Sequence, residues 1–378
     1  MTSNVVEFGN TFSGQALKKA RLFNGQTISE LSDSIGVTHQ AISNYEKEKN
    51  TPSYDVLIKI SESLKFPVQY FYKTRELGNE SVGFYRKGSN VTKKNRVKVA
   101  ELASFSREIF EEIEKVVFVP SYSDPIELKR RKKYSPLDFQ YIEDVADLIR
   151  EKFKFGSGPI INLTGFLESL GIYVVFAYMD DTKIDAYTTV VEGRPIILLN
   201  AEKKSSSRVR FNLAHELAHI LFHRDYEKIY QNGENFSTIE DEANHFAGCF
   251  LLPEAGLVED LTATSLQHLI VLKSHWNVSI AAIITRANQC GFFSDKHTLH
   301  LRQQMSRGNM RIVEPLDNEL EIEKPTLVKQ AIEIYEKKHN GNAVAVLANN
   351  LRLFPSFVED IILCEPKAVQ IKSNLRIV

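Results

Sequence analysis

Two histidines and a glutamate lie close together in the stretch SRVRFNLAHELAHILFH. His215 and His219 stand four residues apart in a segment of helical apolar period. That spacing puts both imidazoles on one helix face, where they can share a tetrahedral ion. Glu216, one residue on, is placed to act as general base toward a water at that ion. Phe211, Leu213, Leu217, Ile220 and Leu221 would bury the helix and dry the site. A catalytic zinc also needs a third protein ligand and one open position. Twenty-one residues after His219, the helical segment EDEANHFA offers Glu240, Glu242 and His245, and spacing does not choose among them. Asn244, one turn beyond Glu240, could orient a ligand imidazole by a hydrogen bond. His223 and His245 are read as non-ligands, the first bonded at a helix end and the second partly exposed.

A different chemistry is written near the N-terminus. Thr38-His39-Gln40-Ala41-Ile42-Ser43-Asn44-Tyr45 follows a helix and a turn at Gly36, the order of a helix-turn-helix whose later helix enters the major groove. Gln40 and Asn44 could be bidentate to adenine, and Thr38 and Ser43 could donate to phosphate or base edges. Ala41 and Ile42 could face inward. Lys18, Lys19, Arg21, Lys47 and Lys49 could line a phosphate-facing side.

The elements that must position these residues can be read from periodicity and punctuation. Between Ala16 and Tyr72 four short helices and a closing apolar turn are expected. Thr27 and Glu30 form a capping box, Gly36 is suited to a left-handed stop, and Pro52 sits at a first turn. Leu17, Ile28, Leu31, Ile35, Val37, Ile42, Val56, Ile60 and Leu64 recur at helical spacing and predict a small core. SVGFYRKGSNVTKK reads as extended or loop-like. VKVAELASFSREIFEEIEKVV has the 3.6-residue period of an amphipathic helix, through Val99, Leu102, Phe105, Ile109, Ile113 and Val116. The basic run Lys129 to Lys133 marks a boundary. Beyond Leu137, FQYIEDVADLIREKF and NLTGFLESLG read as helices, and IYVVFAYM, AYTTVVEG and PIILLN as strands. PIILLN, just before the histidine helix, could pair with an extended substrate by edge addition. Past Gly256 most segments read as helical.

Composition narrows the class. With 378 residues the chain is too long for one core, and 43% apolar with 25% charged residues is a globular balance. Three scattered cysteines argue against a disulfide framework and fit a reducing compartment. The start MTSNVVEFGN lacks the pattern of a signal peptide, and no apolar run is long enough to span a bilayer. The expectation is a cytoplasmic protein. Residues 1–72 carry 7 basic and 7 acidic side chains, 73–133 carry 15 and 9, and 134–378 carry 25 and 32. A basic middle thus joins a neutral front to an acidic back, which suggests separate tasks.

Two resemblances sharpen these readings. RVRFNLAHELAHILFH, followed by EDEANHFAGCFLLP, resembles the ImmA/IrrE family of metallopeptidases. The likeness runs from IEDVADLIREKF near Ile142 through PIILLN to IEKPTLVKQAIE near Pro325. It implies a zincin-like α+β domain in which His215, His219 and Glu240 bind Zn2+ and Glu216 is the base, with Asn244 at the family's Asn. Ala218 departs from the family's usual Gly and is small enough to leave the site unaffected. Residues 16–72, in GVTHQAISNYEKEKNTPSYDVLIKISESL above all, resemble the Xre/Cro repressor-like domains. Their base-contacting positions fall on His39, Gln40, Ser43 and Asn44.

The expected organisation is multidomain. An all-α helix-turn-helix domain at 14–72 is followed by a basic linker and amphipathic helix at 73–135. An α+β zincin-like metallopeptidase domain at 136–256 precedes a mainly helical C-terminal region at 257–378. The expected function is a transcriptional regulator that binds a double-stranded DNA operator as a homodimer. Its zinc peptidase, active or latent until activated, would cut a partner protein such as a repressor or antitoxin. The alternative keeps the DNA-binding domain and makes the HExxH domain a sensor or dimerisation module without turnover.

Overall fold

The computed structural model describes residues 11–72, 83–87, 92–129, 131–179, 184–202, 205–226, 233 and 235–365. Its contacts divide the chain into two compact units that cut across the four linear segments expected from sequence.

In the first unit, α1 (Gly14–Phe23), α2 (Ile28–Ile35), α3 (His39–Glu46) and α4 (Tyr54–Leu64) are closed by a 3₁₀ turn at Val68–Tyr72. The caps form as their residues dictate. Thr27 Oγ1 accepts from the Glu30 N–H while a Glu30 carboxylate oxygen accepts from the Thr27 N–H at 2.6 Å. Gly36 ends α2 at φ 73°, where a side chain would be strained. Of the predicted core, Leu17, Leu31, Ile35, Ile42, Ile60 and Leu64 are buried, whereas Ile28, Val37 and Val56 are half-buried. The amphipathic segment becomes α5 (Lys93–Glu114), and it is part of this unit instead of a linker. The reason is its apolar stripe. Val99, Phe105, Ile109 and Ile113 are all buried, and the Phe105 ring packs within 5.5 Å of Phe23, Phe66 and Phe357.

The second unit holds a four-stranded sheet of order β1-β3-β4-β2, from β1 (Gly83–Lys87), β2 (Tyr173–Ala177), β3 (Ile184–Val191) and β4 (Arg194–Asn200). β3 pairs antiparallel with both β1 and β4, and β2 runs parallel to β4. β4 is therefore interior, and the edge pairing expected of PIILLN is not open to it, because both its neighbours already use its backbone groups. The segment read as extended or loop-like supplies an edge strand instead. Helices α6 (Phe139–Lys152), α7 (Leu163–Ser169), α8 (Ser206–Ala218), α9 (Phe236–Leu251), α10 (Glu254–Asp260), α11 (Leu266–Trp276), α12 (Ile280–Gln289) and α13 (Asp295–Arg307) complete this unit. Its core is continuous, from Ile142 and Ile149 through Leu213 and Leu217 to Phe246, Phe250, Ile283 and Leu301. The helices past 256 thus divide between the units. The tail of α14 (Leu327–Lys338), with α15 (Ala343–Leu351) and α16 (Pro355–Ile362), belongs to the first. Among the described residues no helix is long and apolar enough to cross a membrane.

Candidate metal centre and nucleic-acid interface

Helix α8 runs almost wholly buried, as its apolar flanks require. It ends at Ala218, and the next turn, His219–His223, widens to π-helical geometry, a form found mostly as single turns inside α-helices and frequently at functional sites. This interrupts the uniform helix expected through HELAHILFH. His215, His219 and Glu216 have no solvent-exposed surface. α9 packs beside α8, with Ala243, Phe246 and Ala247 buried in the common core, and Glu240 and Asn244, one turn apart, face the histidines.

The three groups converge. The Nε2 atoms of His215 and His219 lie 3.1 Å apart, and the Glu240 carboxylate oxygens lie 3.6 and 3.5 Å from them. Ligands on a tetrahedral zinc at ~2.0–2.1 Å must sit about 3.3 Å from one another. The donor set, two imidazole nitrogens and one carboxylate, fits that ion and leaves a fourth position open. Among the described residues this is the one cluster of three such ligand atoms within 4.8 Å of each other.

A second layer holds the ligands. Asn244 Oδ1 lies 3.1 Å from His215 Nδ1, so the amide oxygen accepts from the ring N–H and leaves Nε2 as the bare nitrogen, the form that can ligate an ion. On His219 the same task falls to a chain. His219 Nδ1 lies 3.0 Å from His223 Nδ1, and His223 Nε2 lies 2.8 Å from Glu242 Oε2. Burial pushes His223 down to about 4, so it is neutral near pH 7. A neutral ring between a carboxylate and an imidazole donates Nε2–H to Glu242 and accepts at Nδ1 from His219. Glu242 in turn accepts from the Tyr134 hydroxyl at 2.9 Å and the Leu137 N–H at 2.7 Å. Burial, followed by the Glu242 charge, drives the Tyr134 phenol upward, so it remains a donor.

His245 departs from the expectation of partial exposure. It is 6% exposed, lies flat under Phe139 at 4.2 Å, and bonds Glu143 at 2.9 Å. Burial lowers it, outweighing the Glu143 carboxylate. Arg286 holds Glu143 from the other side at 2.7 Å. His245 is therefore tied to structure, away from the three converging ligands.

In the first unit His39 and Gln40 are exposed and Asn44 half-exposed on α3, with the Gln40 amide donating to Asn44 Oδ1 at 2.9 Å. Thr38 caps the helix, its Oγ1 accepting from the Ala41 N–H at 3.1 Å. Ser43 is 9% exposed, nearly buried beside Ile42, and so offers little of the groove-facing surface expected of it. Two of the supposed phosphate-facing cations point elsewhere. Arg21 is buried in a paired bond with Glu46, at 2.5 and 3.0 Å, and Lys19 is buried against Glu108 and Ser104 of α5. Both are used to join helices. Lys47 and Lys49 stay exposed beside the end of α3.

Comparison with known proteins matches these two regions. Residues 14–77 fit the model of a helix-turn-helix domain, and residues 167–288 fit that of an IrrE N-terminal-like domain. The chain joins a helix-turn-helix domain to an IrrE N-terminal-like domain. The chain is similar over 78 residues to an uncharacterized HTH-type transcriptional regulator of Rickettsia prowazekii, at 32% identity, which is 21% of this chain and 60% of that protein. A second, from Rickettsia conorii, is 31% identical over 21% of this chain and 62% of its own length. The matched part of this chain thus spans about three-fifths of each relative. Among solved structures, Bacillus thuringiensis PlcR in complex with the peptide PapR7 and DNA aligns over 92% of this chain and 94% of its own, at 14% identity and a TM-score of 0.15, too low to carry an argument.

In the IrrE-like domain, the pairing of His223 with Glu242 is a feature that sequence reasoning missed. The signal was present, a third histidine four residues after His219 and a second glutamate two after Glu240. Tyr134 and Leu137 carry no such signal, since they reach Glu242 from a segment more than 100 residues away.

Proposed function

We propose that the chain is a DNA-binding transcriptional regulator whose IrrE-like domain is a zinc-dependent metallopeptidase. The observation that carries this reading is the convergence of His215, His219 and Glu240 at tetrahedral-ligand spacing beside a buried Glu216. His215 and His219 would present Nε2, and Glu240 a carboxylate oxygen. When bound, zinc supplies a Lewis acid that polarises a carbonyl and lowers the pKa of water. Glu216 accepts a proton at its carboxylate during attack on the peptide carbonyl and returns it to the leaving amine. Asn244 and the His223–Glu242 chain hold the two imidazoles in the ligating tautomer. The substrate in this reading is a partner protein such as a repressor or antitoxin. The helix-turn-helix domain would place a homodimer on a double-stranded operator, reading bases with Gln40 and Asn44 and contacting phosphates with Lys47 and Lys49.

The complete burial of His215, His219 and Glu216 favours a second reading, in which the domain senses without turnover. One experiment separates the two. Glu216→Gln abolishes cleavage of the partner and spares metal and DNA binding if the peptidase reading holds. Regulation lost in His215→Ala but kept in Glu216→Gln supports the sensor.

A further inference from the structure

The strand β1 stands apart from the rest of its sheet. β2, β3 and β4 follow one another within 30 residues of chain, whereas β1 comes from about 100 residues upstream. In sequence it is flanked on both sides by residues that belong to the first unit. It pairs antiparallel along the outer edge of β3, Gly83 opposite Thr189 and Phe84 opposite Thr188. That edge runs beside α8, to which β3 is tied by Arg208 and Asp185 at 2.6 Å.

The fit at this edge is close and specific. The Phe84 ring is 2% exposed and lies parallel to the His219 imidazole, 4.5 Å between centroids and 7° between planes. His223 forms a second wall at 6.2 Å. A side chain at Gly83 would meet the Thr188 carbonyl oxygen and the Tyr187 ring at 2.5 Å, so only glycine fits before the aromatic. Strand addition draws its affinity from main-chain hydrogen bonds and its selectivity from pockets for alternate side chains. Both are present here, and one wall of the pocket is a candidate metal ligand.

We infer that the outer edge of β3 is a docking site for an extended peptide with an aromatic side chain that stacks on His219, and that β1 is its built-in occupant. This names the substrate class for the proposed peptidase, and it rests on the peptidase reading only for the cleavage step after docking. An incoming segment must displace β1, so the internal strand competes with substrate, and its release sets access to the metal centre.

The test uses full-length protein carrying Glu216→Gln, so that nothing is hydrolysed. The probe is a fluorescein-labelled peptide of residues 81–89, SVGFYRKGS, read by anisotropy, beside the same peptide with its Phe replaced by Ala. Two independent substitutions free the edge. Phe84→Ala empties the aromatic seat, and Gly83→Val drives a side chain into Thr188 and Tyr187. Either should tighten binding of the Phe peptide about ten-fold or more over the parent, and the Ala peptide should bind neither. If both variants fail to fold, the parent itself still decides, since at high peptide concentration it should prefer Phe over Ala. Equal binding of the two peptides, or no gain in a folded variant, overturns the inference. Because the readout is binding to a protein that cannot turn over, an inactive peptidase would leave the result unchanged. Conversely, cleavage of unfolded casein by wild type with no peptide preference would reject the docking site and keep the peptidase.

Discussion

Replacing Glu242 by glutamine probes the candidate metal centre without touching His215, His219 or Glu240. Glu242 Oε1 takes two bonds, from the Tyr134 hydroxyl and the Leu137 N–H, and the backbone donor cannot turn away. The glutamine oxygen therefore stays there, and its NH2 group takes the place of Oε2, 2.8 Å from His223 Nε2. His223 must then accept at Nε2 and carry its proton on Nδ1, which faces His219 Nδ1 at 3.0 Å. His219 is left protonated on Nε2, the atom the metal needs. Disturbing such a partner of a metal-bound histidine costs 10–100-fold in affinity, or about 1.4–2.7 kcal/mol. Zinc affinity is measured by competition with a chromophoric chelator at pH 7.5, and the ring tautomers by ¹⁵N NMR. A thermal melt confirms that the variant folds. Unchanged zinc affinity in a folded Glu242→Gln protein, with His219 still protonated on Nδ1, would refute the chain.

Two further outcomes are expected on the same physical grounds. Gln40→Ala and Asn44→Ala should each cost about 1–3 kcal/mol on a specific operator and little on random DNA, whereas Lys47→Ala and Lys49→Ala should weaken both alike and lower the salt slope by about one each. Gel shifts at several salt concentrations check this, and equal effects of all four substitutions would count against α3 as the reading helix. Stability should also depend on acid through His245 and Glu143. Burial holds His245 below its ordinary 6.5, so its contribution is full above that pH and is lost as pH falls through the lowered value. For Glu143, desolvation is outweighed by Arg286 and His245, which hold it below 4.5, and its contribution is lost as pH falls further. Urea melts from pH 7.5 to 4 should show a shallower decline in His245→Gln than in wild type, and equal declines would reject the assignment.

Much of this was legible in the residues themselves, wherever local rules act. The capping box at Thr27, the glycine stop at Gly36 and the 3.6-residue period of α5 depend on neighbours in sequence, and each formed as read. The three converging groups share the property in part, because one helix fixes His215 and His219, whereas Glu240 comes from another and spacing does not choose it over Glu242 or His245. What escaped was long-range. β1 has five residues and no strong alternation of its own, and it is a strand because β3 presents an open edge and His219 a flat face for Phe84. The burial of Lys19 was hidden for the same reason, since Glu108 lies 89 residues away. Ser43 shows how fine the division on α3 is, since it is nearly buried with Ile42 while His39 and Gln40 are exposed, and one position round the helix decides between surface and core.

The decisive measurement for the His215, His219 and Glu240 centre is the metal content of purified protein, wild type beside His219→Ala and Glu240→Ala. About one zinc per chain in wild type, absent from both variants while their folds persist, is the predicted result. A wild type that holds no zinc and takes up none when it is supplied, or a Glu240→Ala protein that retains it fully, would contradict the assignment of His215, His219 and Glu240 as a metal centre.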